Sequence, residues 1–179
     1  MKYNIVGNAC FATFCTRDYI KQEYVNPFIW CEITFKNMYK LIINWDNINF
    51  KNIKIRYNTA DNNYTIILLD YDIELLYMHY RYDPKALVYT KRIPDAFYYD
   101  MENYLLNQWF KHIERMTETK PIFAIFQTNG KKWNYTKEEL EIIENIKSPY
   151  PIIVWDKIMD NFQAAKYLFR VLKDLNYIK

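Results

Sequence analysis

The last third of the chain alternates strand and helix signals in a way that leaves few folds open. Pro121–Gln127 is an unbroken apolar run closed by Thr128-Asn129-Gly130, and Pro151–Trp155 is a second such run. Between them, Thr136 and Glu139 are spaced as a capping box for a helix over Lys137–Ile146, since the Thr hydroxyl can accept from the third helical amide while the Glu reaches back. Asp160 can cap a final helix whose stripe Ala165, Leu168, Phe169 and Leu172 recurs at helical spacing. Strands that are apolar on both faces pair in parallel and need right-handed helical crossovers. This segment alone points to an α/β domain.

The rest of the chain adds antiparallel elements to that frame. Tyr3–Gly7 reads as a first buried strand, followed by a helix or turn over Thr13–Gln22 and an extended piece, Pro27–Trp30. Thr34 can cap a helix with Phe35, Met38, Ile42 and Trp45 on one face. Three strand-like runs follow, Ile53–Tyr57, Thr65–Leu69 and Ile73–Met78, and Asp70-Tyr71-Asp72 is the turn signal of a hairpin between the last two. Beyond Asp83-Pro84 a long helix is expected over Asp100–Thr117, with the apolar stripe Leu105, Trp109, Ile113 and Met116. The chain reads as one domain over residues 1–179, a three-layer α/β/α sandwich with a mixed, partly parallel sheet.

Composition bounds the function classes. The 18 tyrosines, with many Asn, Lys and Ile, read as the coding bias of an AT-rich genome, and only 2 glycines are present. Turns that need a positive φ must then fall to Asn and Asp, which tolerate it best. A net charge of +3 with scattered basic residues gives no footprint for nucleic acid. The terminal Lys166, Arg170, Lys173 and Lys179 form at most a mildly basic, solvated helix face. The run Ile66–Tyr80 is broken by Asp70, Asp72 and Glu74, so no membrane span is expected. Three cysteines without framework spacing, and no secretory pattern at the N-terminus, suit a reducing cytoplasm. No Cys or His spacing resembles a zinc site.

Several side chains could carry chemistry. Asn8 and Cys10 follow the first strand, at the carboxyl end where α/β sheets bind ligands. A helix N-terminus there would favour a Cys10 thiolate; a small buried hydrophobe is the other reading. The Asn8 amide can serve a ligand or close the turn. His79 ends the apolar row Ile73, Leu75, Tyr77, as a general base, a phosphate or sugar ligand, or a half-buried structural imidazole. On the long helix Lys111, His112 and Arg115 share a face beside Trp109 that could hold a phosphate or simply face solvent. Trp109 itself suits the core, or stacking on a sugar or base. Asp70, Asp72 and Glu74 form an acidic group whose bare Asp-x-Asp letters are a weak motif. There is no Gly-rich phosphate loop and no Gly-x-Ser-x-Gly elbow.

Taken in order, Ile5-Val6-Gly7-Asn8-Ala9-Cys10, Asn26-Pro27-Phe28-Ile29-Trp30 with Phe35–Leu41, Asp72 through His79-Tyr80, and Trp109, Lys111, His112, Arg115 leading into Ile122–Phe126 resemble a bacterial family of unknown function. Its members are labelled exopolysaccharide or capsule biosynthesis proteins. Three departures are visible: Ala9 stands for the second Asn of the family's Asn-Asn-Cys turn, Phe11-Ala12 for its glycines, and His112 for an Arg. The resemblance implies an α/β/α fold with a mixed sheet and a role in surface-polysaccharide assembly.

The leading expectation is a transferase acting on a sugar or glycan that carries a phosphate or nucleotide, a sugar nucleotide or sugar phosphate being the ligand. Asn8 and Cys10 would line its site, Tyr80 and Trp109 would contact substrate, His79 would be base or ligand, and Lys111, His112 and Arg115 would meet the phosphate. Two other readings stand beside it: a Cys10–His79 hydrolase or acyl transferase, and a non-catalytic module that binds glycan or protein through exposed Tyr and Trp.

Overall fold

The computed structural model describes residues 3–21, 26–28, 31–60, 63–77, 101–116, 119–129 and 134–178. Strands β1 (Tyr3–Gly7), β2 (Cys31–Glu32), β3 (Ile53–Asn58), β4 (Asn63–Leu68), β5 (Ile73–Tyr77), β6 (Lys120–Thr128) and β7 (Ile152–Met159) alternate with helices α1 (Phe11–Phe14), α2 (Phe35–Asn44), α3 (Met101–Met116), α4 (Lys137–Glu144) and α5 (Asn161–Asp174). The α/β class holds, with parallel and antiparallel pairing both present. The pairing is divided between two sheets, β1-β6-β7 all parallel and β2-β5-β4-β3 all antiparallel.

Strand β6 shows why its run is apolar throughout. Phe123 and Ile125 face a large core with Val6 of β1, with α2 (Met38, Leu41), α3 (Leu105, Trp109, Ile113), α4 (Leu140, Ile143), and with Ile66, Leu68 and Leu75 of the antiparallel sheet. Ile122, Ala124 and Phe126 point to the opposite face, where α1 (Phe11, Ala12) and α5 (Ala164, Ala165, Leu168, Leu172) cover them. Side chains alternate across a strand, so Ile122–Phe126, buried on both faces, are all apolar; the buried polar Gln127 and Thr128 come only at the strand's end.

The junction between β1 and α1 is tight. A Cβ added at Gly7 would come within 2.6 Å of the Ala12 Cβ, so only glycine lets this helix fold back onto the strand it follows. The helix continues as a π-helical stretch, Cys15–Ile20, that stops at Lys21 with φ 54°. The other positive-φ residues in the described part are Asp72 (φ 50°) and Asn176 (φ 59°), as expected of a chain short of glycine; Lys21 departs from that expectation. Of the extended piece expected over Pro27–Trp30, Pro27 and Phe28 lie in a turn and Ile29 and Trp30 lie outside the described residues; the described pairing includes Cys31–Glu32.

Two observations set the position of a site. The chain leaves β1 through α1 on one face of the parallel sheet, and leaves β6 through α4 on the other. Adjacent parallel strands whose connections depart to opposite faces make a topological switch point, with a crevice outside their carboxyl ends. The described residues that border it are 8–10 after β1, and 129 and 134–136 after β6.

Candidate site at the carboxyl ends of β1 and β6

Asn8 lies just past the end of β1, at the switch point. It is fully buried, its Nδ2 donates to the Phe126 carbonyl at 3.0 Å, and its Oδ1 accepts from the Phe126 N–H at 2.9 Å. The backbone of Asn8 donates to the Ala124 carbonyl and accepts from the Ile33 N–H. The amide offered by the sequence to a ligand thus stands in for one more peptide group of β1, and ties the parallel sheet to the end of β2.

Cys10 sits at the N-cap of α1 and is half-buried. Its thiol is pushed up to about 12, by burial first and then by the carboxylate of Glu32. The α1 terminus is therefore no source of a thiolate here: desolvation and a neighbouring negative charge outweigh any help from the helix. Cys15 is likewise raised to about 12 by burial, and Cys31, fully buried, is raised further. The Cys31 thiol donates to the Pro27 carbonyl at 3.4 Å.

The loop after β6 is fastened by side-chain amides. Asn134 donates to the Thr128 carbonyl at 2.7 Å and accepts from its N–H at 2.8 Å. Gln127 does the same to the backbone of Tyr135. The Tyr135 hydroxyl then donates to the Ile33 carbonyl at 2.6 Å, so both crevice loops are tied to the segment that follows β2. On the other side of β1, buried Asn26 donates to the Ile5 carbonyl at 3.1 Å.

The other residues singled out from the sequence fall elsewhere. Trp109 is 1 % exposed and its indole N–H donates to the Phe50 carbonyl at 2.7 Å, so its ring is part of the core, edge-on to Phe28. Lys111 and Arg115 are exposed and His112 is half-buried. Arg115 stands just before the turn, Thr119 N–H to Met116 carbonyl, that leads into the start of β6; that start is paired with Tyr3 at the beginning of β1. His79 and Tyr80 lie outside the described residues; β5 ends at Tyr77, opposite Cys31.

The acidic group is used by the fold. Asp70 accepts from the Asn49 N–H and the Asn52 amide, each at 2.7 Å, and the Asn52 bond first of all holds its carboxyl below the usual value. Glu74 pairs with Arg56 at 2.9 Å, and the Lys40 ammonium donates to the carbonyls of Tyr71 and Asp72. No three His, Cys, Asp or Glu side chains among the described residues are placed to hold a metal ion.

Two polar residues at the crevice escape the sequence reading. Glu32 is a lone carboxylate beside the apolar run Phe28–Cys31, a signal that was available; it is 9 % exposed. Thr13 is 0 % exposed and gave no signal, because a threonine in a helix is unremarkable. Compared with protein-family models, with curated proteins and with solved structures, the chain matches none of them. No helix among the described residues is long and apolar enough to cross a membrane.

Proposed function

We propose that this chain works in surface-polysaccharide assembly as a transferase on a sugar or glycan carrying a phosphate or nucleotide, with its site in the crevice beside Cys10. The observation that carries the location is the switch point between β1 and β6, just beyond which stands the Cys10 turn. The sequence resemblance carries the biological context. Of the candidates, Cys10 and His79 stay in the reading as site residues, Asn8 holds the turn through Phe126, and Lys111, His112 and Arg115 remain the proposed phosphate ligands.

The hydrolase or acyl-transferase reading has less support. It requires Cys10 as a thiolate, whereas burial and Glu32 hold that thiol protonated.

A thermal-shift panel tests the proposal. UDP-glucose, glucose 1-phosphate and acetyl-CoA are added, with and without magnesium, to the wild type and to His79→Ala. A ligand at 100 times its Kd adds about 2.7 kcal/mol to the folded state, which is several degrees for a domain of this size. Stabilisation by the sugar nucleotide or sugar phosphate, lost in His79→Ala, is the expected result. A flat panel, or stabilisation by acetyl-CoA alone, overturns it.

A further inference from the structure

The outer face of α5 gathers a charge pattern that neither the core nor the crevice uses. Ala164, Ala165, Leu168 and Leu172 turn inward onto the parallel sheet. Phe162, Lys166, Arg170 and Lys173 lie on the other side, within about a quarter-turn of one another at 3.6 residues per turn, and all four are exposed. The three cations share the helix with a single acidic side chain, Asp174. Among the described residues none of the three is in an ion pair.

The pattern continues onto the neighbouring helix through two aromatic rings. Phe162 is 61 % exposed, and the half-buried Phe14 of α1 stacks on it at 4.5 Å between centroids and 27° between planes. The Arg17 guanidinium lies 5.1 Å from the centre of the Phe14 ring and pairs with Asp18 at 2.8 Å. Tyr19 of the π-helical stretch meets Phe169 of α5 at 5.4 Å, so the stretch that carries Arg17 lies along the helix that carries the three other cations. Isolated apolar side chains on a surface are ordinary; a stacked pair set between cations on two packed helices is a patterned face.

We propose that this face docks the protein on a bilayer surface that carries anionic phospholipids, with Lys166, Arg170 and Lys173 among the headgroup phosphates and the Phe14–Phe162 pair at the acyl boundary. An anionic leaflet attracts a basic cluster, and the attraction grows with each Lys or Arg brought near it. Apolar rings beside the cations add burial that charge alone lacks. Nucleic acid calls for a broad basic footprint over the whole domain, whereas this row is narrow and the chain's net charge is only +3. The docking face uses none of the residues assigned to the crevice, so it stands or falls apart from the transferase reading.

Vesicle sedimentation of the full chain tests it. Vesicles of phosphatidylcholine alone are compared with vesicles holding roughly 30 mol % phosphatidylglycerol, at about 0.1 M and about 0.5 M sodium chloride. The wild type should pellet with the phosphatidylglycerol vesicles at the lower salt, be released at the higher, and stay in solution with phosphatidylcholine. Lys166→Glu together with Arg170→Glu should weaken binding roughly tenfold or more, and Phe162→Ser several-fold. Lys51→Glu together with Lys54→Glu makes the same change of charge on exposed residues at β3 and should leave binding within about twofold of wild type. All the altered side chains are exposed, and circular dichroism checks each variant; should one lose its fold, the lipid and salt dependence of the wild type decides. No binding to the phosphatidylglycerol vesicles, equal binding to both kinds of vesicle, or equal weakening by the two charge pairs overturns the proposal. So does tighter binding of an oligodeoxythymidylate that the same substitutions abolish, which would make the face a nucleic-acid site.

Discussion

Asn8→Ala would strip two hydrogen bonds from Phe126 and leave an N–H and a C=O of β6 unpaired where water does not reach. Each orphaned buried group costs about 1–3 kcal/mol, so the expected loss is on the order of 3 kcal/mol. It is read as a lower urea midpoint with an unchanged slope; a loss under about 1 kcal/mol would mean that the amide is not the clamp described. The thiols give a second prediction at this scale. Cys10 and Cys15 are raised to about 12 and Cys31 further, and buried Tyr135 is raised in the same sense. The folded chain thus keeps protons that the unfolded chain releases, so this stability is complete below the free thiol value of about 8.5 and is lost as pH rises toward 12. The urea midpoint should fall between pH 9 and 11, and less steeply in Cys15→Ala; equal slopes would contradict the assignment. Little of this was legible in the sequence. The excess of Asn reads as coding bias, yet Asn8, Asn26 and Asn134 each replace a missing peptide group, and the partner of Asn8 lies 118 residues away.

Elements defined by local chemistry were legible, and those defined by distant contacts were not. The Thr136–Glu139 capping box forms as the spacing requires and Asp160 caps α5 as expected, where Gln163 completes a second box. The hairpin around Asp70-Tyr71-Asp72 pairs β4 with β5, Leu68 opposite Ile73. Thr34 precedes α2 as expected, but its hydroxyl accepts from the Asn37 side chain at 2.9 Å instead of capping the backbone. The two-residue strand β2 and the π-helical stretch left no periodic trace, because both answer to the close packing of α1 on Gly7 and to the bond from Ile33 to Asn8. The loop after β6 gives the prediction for this scale. Its hold on the strand end is the two-point bond from Asn134 to Thr128, with Gln127 acting on Tyr135. Asn134→Ala should raise hydrogen exchange over residues 127–136 while β1 and α5 keep their protection, since such loosening stays local when the core is untouched. Exchange rising across the whole chain would show that the loop is not a separate unit.

At the scale of the molecule, the mixed α/β fold the patterning indicates is the one found, with parallel strands at the ends of the chain and antiparallel strands in its middle, described in two sheets. Among the described residues the ladder stops at β2, whose two residues pair with β5, while β1 reaches this segment through Asn8 and Ile33. Pairing rules describe neighbours in a sheet and do not say where a sheet ends, so the division could not be read from periodicity. The core has no matching division. Val6, Phe123 and Ile125 of the parallel sheet lie in one cluster with Ile66, Leu68 and Leu75 of the antiparallel sheet. The three described tryptophans report on both sides of the parallel sheet: Trp45 and Trp109 belong to that cluster and Trp155 packs against the one under α5. Two sheets sharing one core should unfold together, as small domains do when no sub-part can bury its surface alone. Urea transitions followed by far-ultraviolet circular dichroism and by fluorescence of single-tryptophan variants retaining Trp109 or Trp155 should therefore coincide. If the Trp155 transition ran ahead of the Trp109 transition, the α1–α5 layer would be a separate cooperative unit. The crevice at the β1–β6 switch point would then lie on the boundary between two units that open independently, and ligand stabilisation would appear in the earlier transition alone.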